Sequence, residues 1–200
     1  MSFSKEICQC VIRNAAVFES GLIDDVQKTL FTVINARLES RIRAIGGWHG
    51  RYELVSGAAD ETYFAPVSWP TSSDGRWRAC YKLSETNEGN SYWLSSAIGV
   101  NDVKLCFVFW LHGGLGGHSK GEIERRLVTV ANTDAVRAAG LVQGTENTLY
   151  LPFVFDTETL ATEYPKVEKT LAPFETALDK LMKAHPQLDA IVQDLTAKRS

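Results

Sequence analysis

A glycine-rich segment at residues 112–118, His-Gly-Gly-Leu-Gly-Gly-His, is the most conspicuous local pattern in this sequence. Loops that cradle phosphate need a lysine directly after a particular glycine, or a third spaced glycine at the start of a helix. Here His118 and Ser119 precede Lys120, and the third spaced glycine is absent. The pattern therefore favours a surface loop whose glycines supply positive φ angles.

Histidine and cysteine residues are present, but not at spacings typical of a metal centre. Zinc sites usually contain Cys-x-x-Cys pairs or His-Glu-x-x-His, whereas Cys8 and Cys10 are separated by one residue. His112 and His118 flank the glycine-rich loop without a third ligand nearby. We therefore predict no metal site and no cofactor, and we assign His112 and His118 to binding through the loop.

An acidic pattern provides an enzymatic alternative. Asp102 and Lys104 form an Asp-x-Lys unit before an apolar run, and Asp74 lies on an upstream turn. Carboxylates can hold Mg²⁺ while a lysine assists an attacking water. The order helix, antiparallel strands, helix and strand is similar to the core of the restriction-endonuclease-like superfamily. This resemblance, which covers the order of elements only, implies a metal-dependent nuclease-like domain, active or degenerate, that uses these three residues.

Aromatic residues are concentrated between residues 48 and 110, which contain all five tryptophans. Most of these rings must fill the core of a sheet packed against helices. Trp69, which precedes Pro70, is predicted to lie on a loop, and Trp93 to face away from its neighbours. Exposed aromatic rings near arginine are typical of protein interfaces. We therefore predict Trp69, Trp93 and Arg78 as binding residues.

Composition limits the class of partner. The 200 residues carry a net charge of −3, with both signs mixed along the chain. A stacking platform for single-stranded nucleic acid with Arg76, Arg78 and Lys82 is therefore disfavoured, because phosphate backbones demand a basic surface. The longest apolar run is too short to cross a bilayer, and the first residues lack a signal-peptide pattern. We expect a cytoplasmic chain with reduced cysteines and no membrane contact.

The flanks of the aromatic part follow a helical period. Apolar residues recur every three or four positions between residues 22 and 42, and Gly46 follows them, which predicts a long helix. A shorter helix is predicted over residues 4–18. Ser119 and Asp156 are predicted helix N-caps, and residues 126–131 fit either helix or strand. Near the C-terminus Pro173 is expected to kink or divide a helix, and Pro186 to begin a separate one.

The central part, residues 48–111, follows a period of two. Strands are predicted at residues 52–55, 62–65, 77–83 and 92–98. The apolar run at residues 103–111 is typical of a strand covered on both faces. A further strand is predicted at residues 148–155.

Together these patterns predict a single domain, residues 1–200, of the α+β class. It has a mostly antiparallel sheet of about five or six strands, with helices from both the N- and C-terminal ends packed on it. We predict a non-enzymatic intracellular binding or regulatory domain that acts through a protein partner. The alternatives are the nuclease-like domain and a small-molecule binder with a pocket between the sheet and the C-terminal helices.

Overall fold

The computed structural model describes residues 21–55, 58–86 and 92–197. The predicted helix at residues 4–18, with Cys8 and Cys10, lies outside the described residues. The helices and strands follow in the order α1 (Leu22–Ile45), β1 (Trp48–Val55), β2 (Ala58–Pro66), β3 (Ala79–Glu85), α2 (Trp93–Ala97), β4 (Leu105–Leu111), α3 (Lys120–Ala131), α4 (Asp134–Ala139), β5 (Val142–Gln143), β6 (Thr148–Phe153), α5 (Thr157–Glu163) and α6 (Ala172–Thr196).

The six strands form one antiparallel sheet in the order β1-β2-β3-β4-β6-β5. β4 pairs with β3 along its whole length and with β6 on its other side, so it is central. The predicted α+β class with a mostly antiparallel sheet of five or six strands is confirmed.

The helices of the described part pack on one face of this sheet. Each of the six contributes buried side chains to the same hydrophobic core. α1 packs against β1 and β2, and α6 against β4 and β6, so the predicted helical cover from both ends is confirmed. The core residues of the four inner strands include Phe64, Tyr81, Leu83, Phe107, Phe109, Leu149 and Leu151.

Residues 92–98 do not form the predicted strand. They contain the short helix α2 (Trp93–Ala97), which covers one end of the sheet. β3 and β4 are already paired on both sides and leave no edge for another strand. Instead, the C-terminal end of α2 is hydrogen-bonded to the chain after β6: Phe155 N–H donates a 2.8 Å hydrogen bond to the Ala97 carbonyl.

Neither proline interrupts helix α6. α6 runs unbroken from Ala172 to Thr196, so the predicted start of a separate helix at Pro186 is wrong, whereas the helical run does divide beside Pro173, where the short 3-10 turn Lys169–Leu171 ends and α6 begins. Pro173 lies in the first turn, where its missing N–H would have no intrahelical partner. Pro186 removes one interior hydrogen bond, but the buried side chains of Ala184 and Leu188 hold the helix to the core on both sides of it.

The open helix-or-strand question at residues 126–131 is decided in favour of helix α3 (Lys120–Ala131). Ser119 is its N-cap and accepts a hydrogen bond from Glu122 N–H, as predicted. Asp156 caps α5 in the same way, through Thr159 N–H. Local capping chemistry therefore predicted both of these helix starts.

Candidate functional site

The sheet face opposite the helices, which we call the open face, is the strongest candidate site. Residues directly opposite each other in antiparallel strands share a face. One such row crosses five strands: Arg51, Tyr63, Lys82, Val108 and Tyr150. Two open depressions of about 740 and 890 Å³ lie on this face, and every described residue that lines them belongs to a strand or loop.

A tight turn places one aromatic ring over the open face. Ser72 N–H donates to the Arg76 carbonyl, and Gly75 adopts a φ of 79°, which glycine tolerates without strain. The turn holds Trp77 beside β2, with ring centroids 5.7 Å from Tyr63. The Trp77 indole N–H donates a 2.9 Å hydrogen bond to His49 Nε2, which fixes the ring.

The charges of the open face are mixed in sign. Arg51 lies 2.8 Å from Glu53 and 3.1 Å from Glu61, and its hydrogen bond lowers the pKa of Glu53. Arg76 lies 3.2 Å from Asp74 on the turn. Both arginines therefore have carboxylate partners.

Lys82 is different from these arginines. It lines both depressions, at the centre of the row, with Trp110 as the other shared residue. Within residues 21–55, 58–86 and 92–197, no carboxylate forms a salt bridge with it. The depressions that meet at Lys82 are lined by aromatic rings and also by carboxylates, among them Glu61, Glu85 and Glu146.

The two cysteines of this face are buried. Cys80 is 2% and Cys106 0% exposed. Burial raises the pKa of both thiols to about 12, so they stay protonated at neutral pH. A thiolate is the nucleophilic form of cysteine. These residues therefore fill space in the sheet.

Two predicted binding residues come together at the edge of the open face. An Arg78 guanidinium nitrogen lies 3.2 Å from His112 Nδ1, and the His112 ring meets Trp110 edge-on at 5.9 Å. The same guanidinium nitrogen is 3.5 Å from the Gly114 carbonyl. The first half of the glycine-rich loop therefore borders this face.

The second half of the loop belongs to the helical side. His118 is only 5% exposed, and its Nδ1 lies 2.8 Å from a Glu122 carboxylate oxygen, so it adds little to the surface of the loop. Gly116 lies against the end of α6, since a Cβ there would be 1.7 Å from the Leu195 carbonyl oxygen. Packing therefore orders this part of the loop.

The two predicted binding tryptophans lie away from the open face. Trp69 is 2% exposed, and its indole N–H donates a 2.7 Å hydrogen bond to Asp189 on α6, so the prediction of an exposed ring is wrong. Trp93 is half-buried on α2, where its ring meets Phe31 of α1 at 5.5 Å. It packs on the helical side, at one end of the sheet.

Sequence reasoning missed the rings that do reach the open face: Tyr63, Trp77 and Trp110. The alternation at residues 77–83 placed Trp77 on the face of Tyr81, but β3 begins only at Ala79. Trp77 therefore precedes the pleat and packs on the other face, beside Tyr63. The sequence of β2 contained no signal either, because Tyr63 and Phe64 are adjacent aromatic residues and only the structure shows which of them is buried.

The residues of the nuclease-like alternative are not assembled. Asp74 precedes the start of β3, whereas Asp102 and Lys104 precede the start of β4, which pairs with the end of β3. Asp74 lines a depression on the open face that neither Asp102 nor Lys104 lines. Among the described residues no group of three or more His, Cys, Asp or Glu side chains is placed to hold a metal. The combination of Asp74, Asp102 and Lys104 therefore stays a prediction that no contact among the described residues supports.

A further cleft lies between β6 and α6, where the small-molecule alternative would require a pocket. It measures about 410 Å³ and is open to solvent. Lys180 is the only charged residue that lines it. A specific ligand site normally has several convergent polar groups, so this cleft is a weaker candidate than the open face.

Comparisons with other proteins add no relatives: no protein-family model, curated protein or solved structure matches this chain. Within the described residues, every helix falls short of the length and apolarity required to cross a bilayer. The candidate site therefore rests on the geometry of the open face.

Proposed function

We propose that this chain is a non-enzymatic intracellular binding or regulatory domain that recognises a protein partner through the open face of its sheet. One observation carries the proposal: aromatic rings reach the face that the helices of residues 21–45 and 92–197 leave uncovered, around two adjoining depressions. Exposed aromatic surface with a polar rim is typical of protein interfaces. The two buried cysteines remain free thiols, consistent with a reducing compartment.

The charge pattern favours a protein over a nucleic acid. Arg51 and Arg76 already face carboxylates, so a phosphate backbone laid across this surface would also meet Glu53, Glu61 and Asp74. Single-stranded nucleic acid binds best where aromatic rings are combined with a continuous basic groove. A protein surface can match alternating charges residue by residue.

Lys82 defines the expected chemistry of the partner. The burial of its ammonium group by a purely apolar surface would cost several kcal/mol. The partner is therefore expected to place a carboxylate opposite Lys82 and apolar side chains against Tyr63, Trp77 and Trp110. Charge-assisted hydrogen bonds of this kind fix orientation as well as affinity.

The test uses a matched pair of charge reversals. Lys82→Glu changes the centre of the open face, and Lys183→Glu changes an exposed lysine on α6. Wild type and both variants are used as baits in cytoplasmic extract, and each captured protein is then purified and titrated against all three by calorimetry.

We expect Lys82→Glu to weaken binding of the purified partner at least about tenfold, which corresponds to about 1.4 kcal/mol. Lys183→Glu should bind as the wild type does. Equal affinities for all three proteins would show that the partner contacts another surface. Circular dichroism of each bait separates loss of contact from loss of folding.

A further inference from the structure

β1 (Trp48–Val55) is a long strand at the edge of the described sheet. Within the described part of the chain, β2 is the only strand that pairs with it, and no backbone bond from a loop reaches its outer edge. Its sequence contains no proline. Such an edge presents unpaired N–H and C=O groups that can pair with another strand. The opposite edge strand, β5, has only two residues.

The charged residues of β1 can pair with those of a second copy of the same strand. Arg51 and Glu53 flank Tyr52 and share the open face. If two copies pair antiparallel about an axis at Tyr52, Arg51 of each copy lies directly opposite Glu53 of the other. Opposite charges at directly opposed positions stabilise an antiparallel pair.

The two neighbouring β1–β1 registers do not pair Arg51 with Glu53. A shift of the axis by one residue, onto Arg51 or onto Glu53, sets that residue opposite its own copy, and like charges at opposed positions are destabilising. These three axes all lie within the regular part of the β1–β2 register, which becomes irregular only after Glu53. Charge therefore selects the axis at Tyr52.

In a single copy of the chain, this edge carries more negative than positive charge. Glu53 lies directly opposite Glu61 on β2, and Arg51 is the only cation that forms a salt bridge with either of them in the described residues. A second copy would add its own Arg51 opposite Glu53. On the helical side it would also cover the half-buried side chains of Tyr52 and Leu54.

We propose that β1 pairs with β1 of a second copy of this chain, antiparallel about Tyr52, to form a symmetric dimer with a continuous sheet. The open faces of both copies then lie side by side. This inference is independent of the proposed function, because it depends on the strand edge and not on what the open face binds.

The test exploits the self-complementary charges. Arg51→Glu and Glu53→Arg are each measured alone, as an equimolar mixture and as the double variant, by sedimentation over a concentration series. Arg76→Glu is the control, because this exposed arginine also faces a carboxylate but lies outside β1. Thermal unfolding of every variant verifies that it is folded.

We expect a wild-type dimer whose dissociation constant rises about 10- to 100-fold in each single variant, where two attractive pairs become repulsive. The mixture should form a heterodimer and the double variant a homodimer, both about as tight as wild type. Arg76→Glu should not change association. A wild-type monomer at about 1 mM, or a mixture that associates no better than its components, would overturn the proposal.

Discussion

The two faces of one sheet carry different chemistry on neighbouring residues. Phe64 is fully buried under the helices, whereas Tyr63, the preceding residue, lies in the row that crosses the open face. Tyr81 and Lys82 repeat this contrast on β3. The comparison shows that the helical layer, rather than residue type, decides which aromatic rings remain available for recognition.

Polar groups also differ between the faces. On the helical side, the Tyr81 hydroxyl lies 2.8 Å from His185 Nδ1, and desolvation raises the pKa of Tyr81 and lowers that of His185. On the open face, charged groups pair with each other in contact with solvent. Polar contacts in the interior therefore support packing, while those outside lie in contact with solvent.

The largest expected difference between the faces concerns stability. Phe107 is fully buried against Phe64, Phe153 and Phe174, so Phe107→Ala should lower the free energy of unfolding by about 3–5 kcal/mol. Tyr150→Ala, on the open face, should cost about 1 kcal/mol. Urea denaturation of both variants measures the contrast. Equal losses would mean that the two faces are equally covered.

A smaller effect is expected where the glycine-rich loop meets α6. Gly116 and Gly117 both have positive φ angles, but only a Cβ at Gly116 would strike the Leu195 carbonyl. Gly116→Ala should therefore lower the free energy of unfolding by about 1–3 kcal/mol more than Gly117→Ala. Thermal unfolding of the two variants measures this difference. Identical stabilities would show that the loop is not fixed by this contact.

The hydrogen bond of Trp69 should contribute to the stability of the helical side. Trp69→Phe removes the N–H that Asp189 accepts, and should lower the free energy of unfolding by about 1–2 kcal/mol. A double-mutant cycle with Asp189→Ala measures the coupling. Strictly additive losses would show that the bond contributes nothing.

The pH dependence of stability should depend on His185, which lies on the helical side of the sheet. Because desolvation lowers the pKa of His185 below its ordinary 6.5, the unfolded chain binds a proton before the folded one does. The free energy of unfolding should therefore fall as the pH drops through 6.5 towards the folded pKa.

His185→Gln should reduce this dependence. Denaturation at several pH values measures the slopes of wild type and variant. An unchanged slope in His185→Gln would exclude His185 as its source.

The smallest effect is expected at the centre of the open face. Lys82 forms no salt bridge with the described carboxylates, so Lys82→Gln should change the free energy of unfolding by less than about 0.5 kcal/mol. Urea denaturation tests this. A substantial loss would assign Lys82 to the stability of the fold instead of to recognition.

The sequence by itself determined the elements whose signals are local. The spacing of apolar residues and Gly46 predicted α1, and side-chain caps at Ser119 and Asp156 predicted the starts of α3 and α5. The period of two between residues 48 and 111 predicted strands there, but also one at residues 92–98, which form α2. The helix starts depend on hydrogen bonds and burial within one element, which neighbouring residues specify.

Tertiary structure alone decided the environment of each side chain. Trp69 has the local sequence of a loop, yet α6 covers it from more than one hundred residues away and supplies its hydrogen-bond partner. The open face likewise combines residues of β1, β2, β3, β4 and β6, which only strand register brings together. Contacts between residues distant in sequence depend on how the layers pack, and no local pattern encodes that packing.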